Sequence, residues 1–163
     1  MKDRKLSSAR SANDPTKLDP KKAYEEHCLQ ELRVAGFRIT MPRIQVIRAL
    51  ADATTGLSAY AIHERIMDSG GRIDVVSVYR ILATLQQVGL IHHIGIVDGY
   101  FPCRIGDCPN KRTLVLVAEN TNFIYELPLS QNAISEIEAA ASNAGYHAET
   151  IKIEVKGVKS GRK

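Results

Sequence analysis

From Lys21 to Val88 the apolar residues recur every three or four positions, and from Leu90 to Cys103 they follow extended segments instead. The first period is that of amphipathic helices, the second that of strands. A first helix is predicted over Lys21 to Gly36, opened by Pro20 and stopped at Gly36, with Cys28, Leu29 and Leu32 facing inward. Thr40 can cap a second helix that tolerates Pro42 in its first turn and carries Ile44, Ile47, Leu50 and Ala51 at helical spacing. Thr54-Thr55-Gly56 breaks it. Ser58 caps a third helix with Ile62, Ile66 and Met67 on one stripe, ended by Gly70-Gly71. Asp74 caps a fourth, running to about Val88 and closed by Gly89. Val78, Ile81, Leu82, Leu85 and Val88 share its inner face, while Ser77, Tyr79, Arg80, Ala83 and Thr84 occupy the other.

Leu90–Ile96 and Tyr100–Cys103 then flank Asp98-Gly99, a hairpin dipeptide. Three short helices, a fourth that is apolar on one side only, and a hairpin predict a winged helix-turn-helix over residues 21–103. In that design the fourth helix enters the major groove and the hairpin, or wing, touches the backbone. A hinge, 104–112, follows. Leu114–Ala118 and Asn122–Leu127 read as strands. Ser130 caps a helix carrying Ile134, Ile137, Ala141 and Ala144 up to Gly145, and His147–Val155 alternates as a last strand. This ββαβ unit, residues 113–157, is too small to bury both faces of its sheet, so it is expected to dimerise. The fold class is thus α+β, an N-terminal winged helix-turn-helix DNA-binding domain followed by a small ββαβ dimerisation domain. Residues 1–20 read as a polar tail and 158–163 as a basic one.

Composition narrows the class without changing this outline. With 163 residues, 44% hydrophobic and 25% charged, the chain has the mixture of an ordinary folded domain or two, which excludes collagen-like and wholly disordered proteins. No apolar run approaches the ~18 residues needed to cross a bilayer. The N-terminus lacks the apolar core of a secretory signal, so a cytoplasmic protein is expected. Residues 1–112 hold 17 of the 22 Lys and Arg and 12 of the 18 Asp and Glu, a net +5, against −1 for the remainder. A basic first part suits a polyanion partner, here double-stranded DNA. Cys28, Cys103 and Cys108 are an odd set, which argues against a disulfide framework and leaves metal binding, redox chemistry or burial. Cys28, within an amphipathic helix, reads as a small buried residue.

The exposed face of the fourth helix carries chemistry suited to a duplex. Arg80 can donate two hydrogen bonds to a guanine edge or one to a phosphate, and Tyr79 can touch a thymine methyl. Ser77 and Thr84 can bond phosphates, as can Arg43 near the start of the second helix. On the wing, His92 and Cys103 lie on opposite arms. A hairpin centred between Val97 and Asp98 sets them directly opposite, and one turning on Asp98-Gly99 sets them diagonally. Either way they share a face. Imidazole plus thiolate on one face is a natural start for tetrahedral zinc, and the soft sulfur disfavours harder ions. No nucleophile–base pair with a supporting third group and no phosphate-binding glycine loop is present, so an enzyme is not expected.

Arg38-Ile39-Thr40-Met41-Pro42-Arg43, Ser58-Ala59-Tyr60, Ser77-Val78-Tyr79-Arg80 and Gly89-Leu90-Ile91-His92 together resemble the ferric uptake regulator family. Ser58-Ala59-Tyr60, Gly89-Leu90-Ile91-His92 and Tyr100-Phe101-Pro102-Cys103 look most like its zinc uptake regulator branch. The resemblance covers about residues 22–157. It implies a homodimeric, metal-responsive repressor of AT-rich palindromic operators, with Tyr60 and Arg80 as base-contacting residues and Tyr79 as a second groove-facing aromatic. It further implies a regulatory zinc, one per chain, held by His92, Cys103 and Glu126. The hinge position that carries a histidine in that branch holds Lys111, and Cys108 is the candidate replacement. The family's structural four-cysteine site is absent, because Ala118 and Thr121 stand in the first pair and no cysteine follows Cys108. His147 does not match a ligand position. Three alternatives stay open: a redox regulator using a Cys103–Cys108 disulfide, with a reactive thiolate near Arg104; a metal-independent regulator of the same fold; and a winged-helix module for protein contact.

Overall fold

The computed structural model describes residues 19–104 and 112–159. Helix α1 (Pro20–Val34) starts where the Asp19 carboxylate accepts the Lys21 N–H, and it buries Tyr24, Cys28 and Leu32, one residue per turn. Helix α2 (Met41–Leu50) is entered through the extended backbone of Thr40, whose side chain makes no capping bond. Its buried stripe is Val46, Ile47 and Leu50; the expected Ile44 is only half-buried. Helix α3 (Ala59–Asp68) is capped by Ser58, which accepts the Ala61 N–H, and helix α4 (Val75–Val88) by Asp74, which accepts the Ser77 N–H. Met67, expected on the α3 stripe, is 46% exposed. Ala59, Ile62 and Ile66 already fill the contact with the other helices, and Met67 falls a third of a turn beyond them. Gly89 ends α4 in the left-handed region, φ +84°. The inner faces of all four helices meet in one core that includes Leu32, Ile47, Leu50, Ile62, Ile66, Leu82 and Leu85.

The wing pairs β1 (Ile91–Ile94) with β2 (Gly99–Pro102), antiparallel, with His92 opposite Phe101 and Ile94 opposite Gly99. The hairpin is therefore centred between Ile96 and Val97, one residue before the first expected centre and two before a turn on Asp98-Gly99. A 3-10 turn, Gly95–Val97, and Asp98 at φ +45° carry the chain round, so Asp98-Gly99 closes the loop instead of forming it. The position of Gly99 is fixed from outside the hairpin. A Cβ on it would lie 2.7 Å from the Gly56 carbonyl carbon. Next to it Leu57 and Tyr100 exchange two backbone hydrogen bonds of 2.9 and 2.8 Å.

The remaining elements are β3 (Arg112–Ala118), β4 (Ile124–Leu127), α5 (Gln131–Asn143) and β5 (Ile151–Gly157). The sheet order is β4-β3-β5, with β4 antiparallel and β5 parallel to β3. The last strand starts at Ile151, not at His147, because the chain leaves α5 through Gly145 at φ +86° and needs the intervening residues to return to the sheet. Val115, Val117 and Ile124 pack with Ile94 and Phe101 of the wing in a second apolar cluster. The opposite face of the sheet carries Leu116, Tyr125, Leu127 and Val155. Tyr125 and Leu127 are 49% and 37% exposed. Among the described residues no helix is long and apolar enough to cross a membrane.

Candidate metal centre and nucleic-acid interface

Three backbone segments converge behind the wing. His92 sits on β1, Cys103 follows β2, and Glu126 lies on β4 opposite Val115. Because His92 pairs with Phe101, Cys103 is two residues further along the same face, diagonal to His92 and not directly opposite it. One ligand atom from each of His92, Cys103 and Glu126 falls within 4.8 Å of the others. It is the one such group of three among the described residues. His92 Nε2 is 2.8 Å from Glu126 Oε1, and both side chains are more than nine-tenths buried. Cys103 is buried as well, its backbone N–H donating to the Leu90 carbonyl at 3.0 Å. The Tyr24 hydroxyl donates to that same carbonyl at 2.9 Å.

Burial pushes the Glu126 carboxyl up, but hydrogen bonds from His92, the Arg104 N–H (2.9 Å to Oε2) and Cys103 outweigh it and hold the group below its ordinary value. The carboxylate is thus ionised, buried, and faced by an imidazole and a sulfur. Zinc bonds of about 2.0–2.3 Å to such atoms leave ligands about 3.5 Å apart. The cluster lies within a small contraction of that spacing, and the nitrogen–sulfur–oxygen donor set fits zinc. Cys28 shows the opposite chemistry. Burial pushes its thiol up to about 12, so it stays protonated and packs as a small apolar side chain. Cys108 and Lys111 lie outside the described residues. His147 is exposed in the segment before β5 and stands outside the cluster.

The candidate DNA-reading residues divide into two groups. Tyr60 on α3 and Tyr79 on α4 pack edge to face, ring centroids 6.4 Å apart, and both are exposed. Arg80 is exposed beside them. The other three are turned into their own chain. The Ser77 hydroxyl donates to Asp74 at 2.5 Å, completing the α4 cap. The Thr84 hydroxyl donates to the Arg80 carbonyl at 3.1 Å. Arg43 donates to the Arg38 carbonyl and lies over the Phe37 ring at 5.5 Å, so its guanidinium braces the loop ahead of α2.

Three residues that tie segments of the chain together escape the sequence reading. The Glu154 carboxylate accepts the Gly95 and Ile96 N–H groups, both at 3.0 Å, and so holds the tip of the wing on β5. Lys152 pairs with Glu154 at 2.7 Å and donates to the His93 carbonyl. In the alternating pattern of the last strand these two charges occupy the polar phase, indistinguishable from a solvated face. Arg104, read as a charge that would activate Cys103, directs its guanidinium to the carbonyls of Ala51 (3.2 Å) and Ala53 (2.6 Å). No motif marks that role.

A profile of the ferric uptake regulator family matches residues 34–156. A ferric uptake regulation protein of Legionella pneumophila is 33% identical over 111 residues, 66% of this chain and 82% of the relative. One from Pseudomonas aeruginosa is 27% identical over 88 residues, 53% of this chain and 66% of that one. Among solved structures, a zinc uptake regulator complexed with zinc and DNA superposes with a TM-score of 0.78 at 17% identity, covering 88% of this chain and 95% of that one. Holo XcZur gives 0.71 at 24% identity over 86% and 94%. These likenesses establish the architecture: a winged-helix DNA-binding domain followed by a dimerisation domain.

Proposed function

The chain belongs to the ferric uptake regulator family, and from that premise we propose that it is a zinc-responsive repressor that binds operator DNA as a homodimer. The observation that carries the reading is the buried His92–Cys103–Glu126 cluster at the joint between the wing and the second domain. A zinc ion bound there would supply two positive charges to offset the thiolate and the carboxylate. His92 offers Nε2, Cys103 its sulfur and Glu126 one oxygen. Cys108 is the proposed fourth donor. Sulfur in the donor set favours zinc over iron or manganese.

The domain limits follow the same logic, with a reading head over 21–103, a hinge over 104–112 and a dimerisation domain over 113–157. Tyr60, Tyr79 and Arg80 form the reading surface, Arg80 bonding base edges or phosphate and the tyrosine pair contacting thymine methyls in an AT-rich palindrome. Ser77, Thr84 and Arg43 flank that surface as the proposed phosphate contacts, each also bonded to a partner in its own chain. Two heads fit two half-sites only at one separation, so a joint closed by metal selects the binding-competent dimer. The open sheet face around Tyr125 and Leu127 is where the second copy would lie. A cytoplasmic site of action follows from a duplex partner.

The test is metal content followed by binding. Protein purified without chelator is expected to hold about one zinc per chain, and Cys103→Ser more than halves it. A duplex selected from a random pool by the zinc-loaded protein is expected to be released by a zinc chelator. Unchanged zinc in Cys103→Ser, or retardation indifferent to chelation, refutes the reading and leaves a metal-independent regulator.

A further inference from the structure

Residue 104 touches two parts of the molecule with two different groups. Its backbone N–H donates to Glu126 Oε2 at 2.9 Å, on the carboxylate whose other oxygen faces His92. Its guanidinium reaches the carbonyls of Ala51 and Ala53 at 3.2 and 2.6 Å. Those carbonyls belong to the segment between α2 and α3, within the reading head. Ala51 is the C-cap of α2, where the helix dipole is negative and a cation is favoured. On the way the guanidinium lies 5.1 Å above the ring of Phe101, the wing residue paired with His92. The same segment docks directly on the second domain, with the Ile124 N–H bonded to the Thr54 carbonyl at 2.9 Å and Thr55 bridged to Phe123.

We propose that Arg104 is the positioning residue that transmits the state of the metal centre to the reading head. The inference rests on the zinc reading above and adds the route by which the site acts. Glu126 fixes the backbone of residue 104, and with it the origin of the side chain. The side chain in turn fixes the α2–α3 connection, and hence the tilt of α3 and α4, which carry Tyr60, Tyr79 and Arg80. Because Glu126 meets the backbone of residue 104, replacing the side chain leaves the ligand set and its hydrogen bonds in place. Metal affinity and metal–DNA coupling are thereby separable.

The coupling is measured as the ratio of DNA affinities with zinc and with chelator, using a duplex selected by the zinc-loaded wild type. By linkage the same factor relates zinc affinities with and without DNA. For the wild type a factor of roughly 10 or more is expected, within the usual range of such couplings. Arg104→Ala and Arg104→Met should both reduce it to within about 3-fold of unity, while zinc affinity without DNA stays within about 3-fold of wild type. The methionine keeps the stem on Phe101 and removes only the donors, so its loss excludes a packing effect. Arg104→Lys, which retains a charged donor, should recover part of the coupling. Full coupling in both Ala and Met variants overturns the proposal, as does zinc affinity falling in step with DNA affinity, which would make Arg104 a support of the ligand shell. A wild type whose DNA affinity ignores zinc fails at the earlier step, and it sinks the zinc reading together with this one.

Discussion

The two halves of the chain solve the burial problem differently. The reading head closes four helical faces and the first wing strand around a continuous core, from Tyr24 through Leu85 to Ile91. The second domain has no equivalent. Its buried apolar residues are Val115, Val117 and Ile124, which pack against wing residues, with Ile134 on α5 and Ile151 on β5. Its other sheet face leaves Tyr125, Leu127 and Val155 open. A helix bundle of this size can satisfy its apolar surface alone. A three-stranded sheet with one helix cannot: the wing covers one side, and the open side is where we propose the second copy lies. The proposed metal site, His92, Cys103 and Glu126, lies on the side packed against the wing.

The largest effect expected from breaking this contrast is in the head. Leu82→Ala, at a fully buried position, should cost about 2–5 kcal/mol in denaturant unfolding. An equal loss from the half-exposed Leu127→Ala would contradict the division. Next in size, Leu127→Asp on the open sheet face should weaken self-association by roughly 10-fold or more in sedimentation, about 1.4 kcal/mol, with the head's helical signal unchanged. A dimer of undiminished strength would place the second copy elsewhere.

Acid should act on the joint. The Glu126 carboxyl is held below its ordinary 4.5, so the stability it lends is fully present above that pH and is lost as pH falls through the lower folded value. Glu154 is held down likewise: burial raises it, but the bond from Lys152 and the wing N–H groups prevail. Metal-free protein should therefore lose domain closure below about pH 4.5, read by scattering or a domain-spanning fluorophore pair. Glu126→Gln should flatten part of that dependence. A joint equally acid-sensitive in Glu126→Gln would remove Glu126 from the clasp. The smallest effect belongs to the exposed Arg48–Glu25 pair on the head: Arg48→Ala should cost under about 1 kcal/mol.

Much of the head was legible because its signals are local. Ser58 and Asp74 cap the helices they were expected to cap, and Gly89 terminates α4 with the positive φ that favours glycine. The errors come where a neighbour overrules local preference. Asp98-Gly99 reads as a two-residue turn, yet Leu57 holds Tyr100 and the close approach of Gly56 fixes Gly99, and the centre of the hairpin lies two residues earlier than that turn would put it. In the site, His92 and Cys103 could be paired from their places on one hairpin. Glu126 came only from the family resemblance, since no local pattern distinguishes it from any glutamate on a strand. Ser77, Thr84 and Arg43, proposed for phosphate, each also have a backbone or capping partner that a sequence pattern does not display.

The sequence by itself determined the order of elements, the faces they bury and the residue types able to hold a soft cation, because capping, periodicity and side-chain chemistry act over a few neighbouring positions. Tertiary structure alone decided that Glu126 meets His92, that Glu154 grips the wing and that Arg104 reaches back to Ala51 and Ala53. Those contacts join segments from about 20 to 60 positions apart, and what brings them together is the packing of two domains, a quantity no local window of the chain contains.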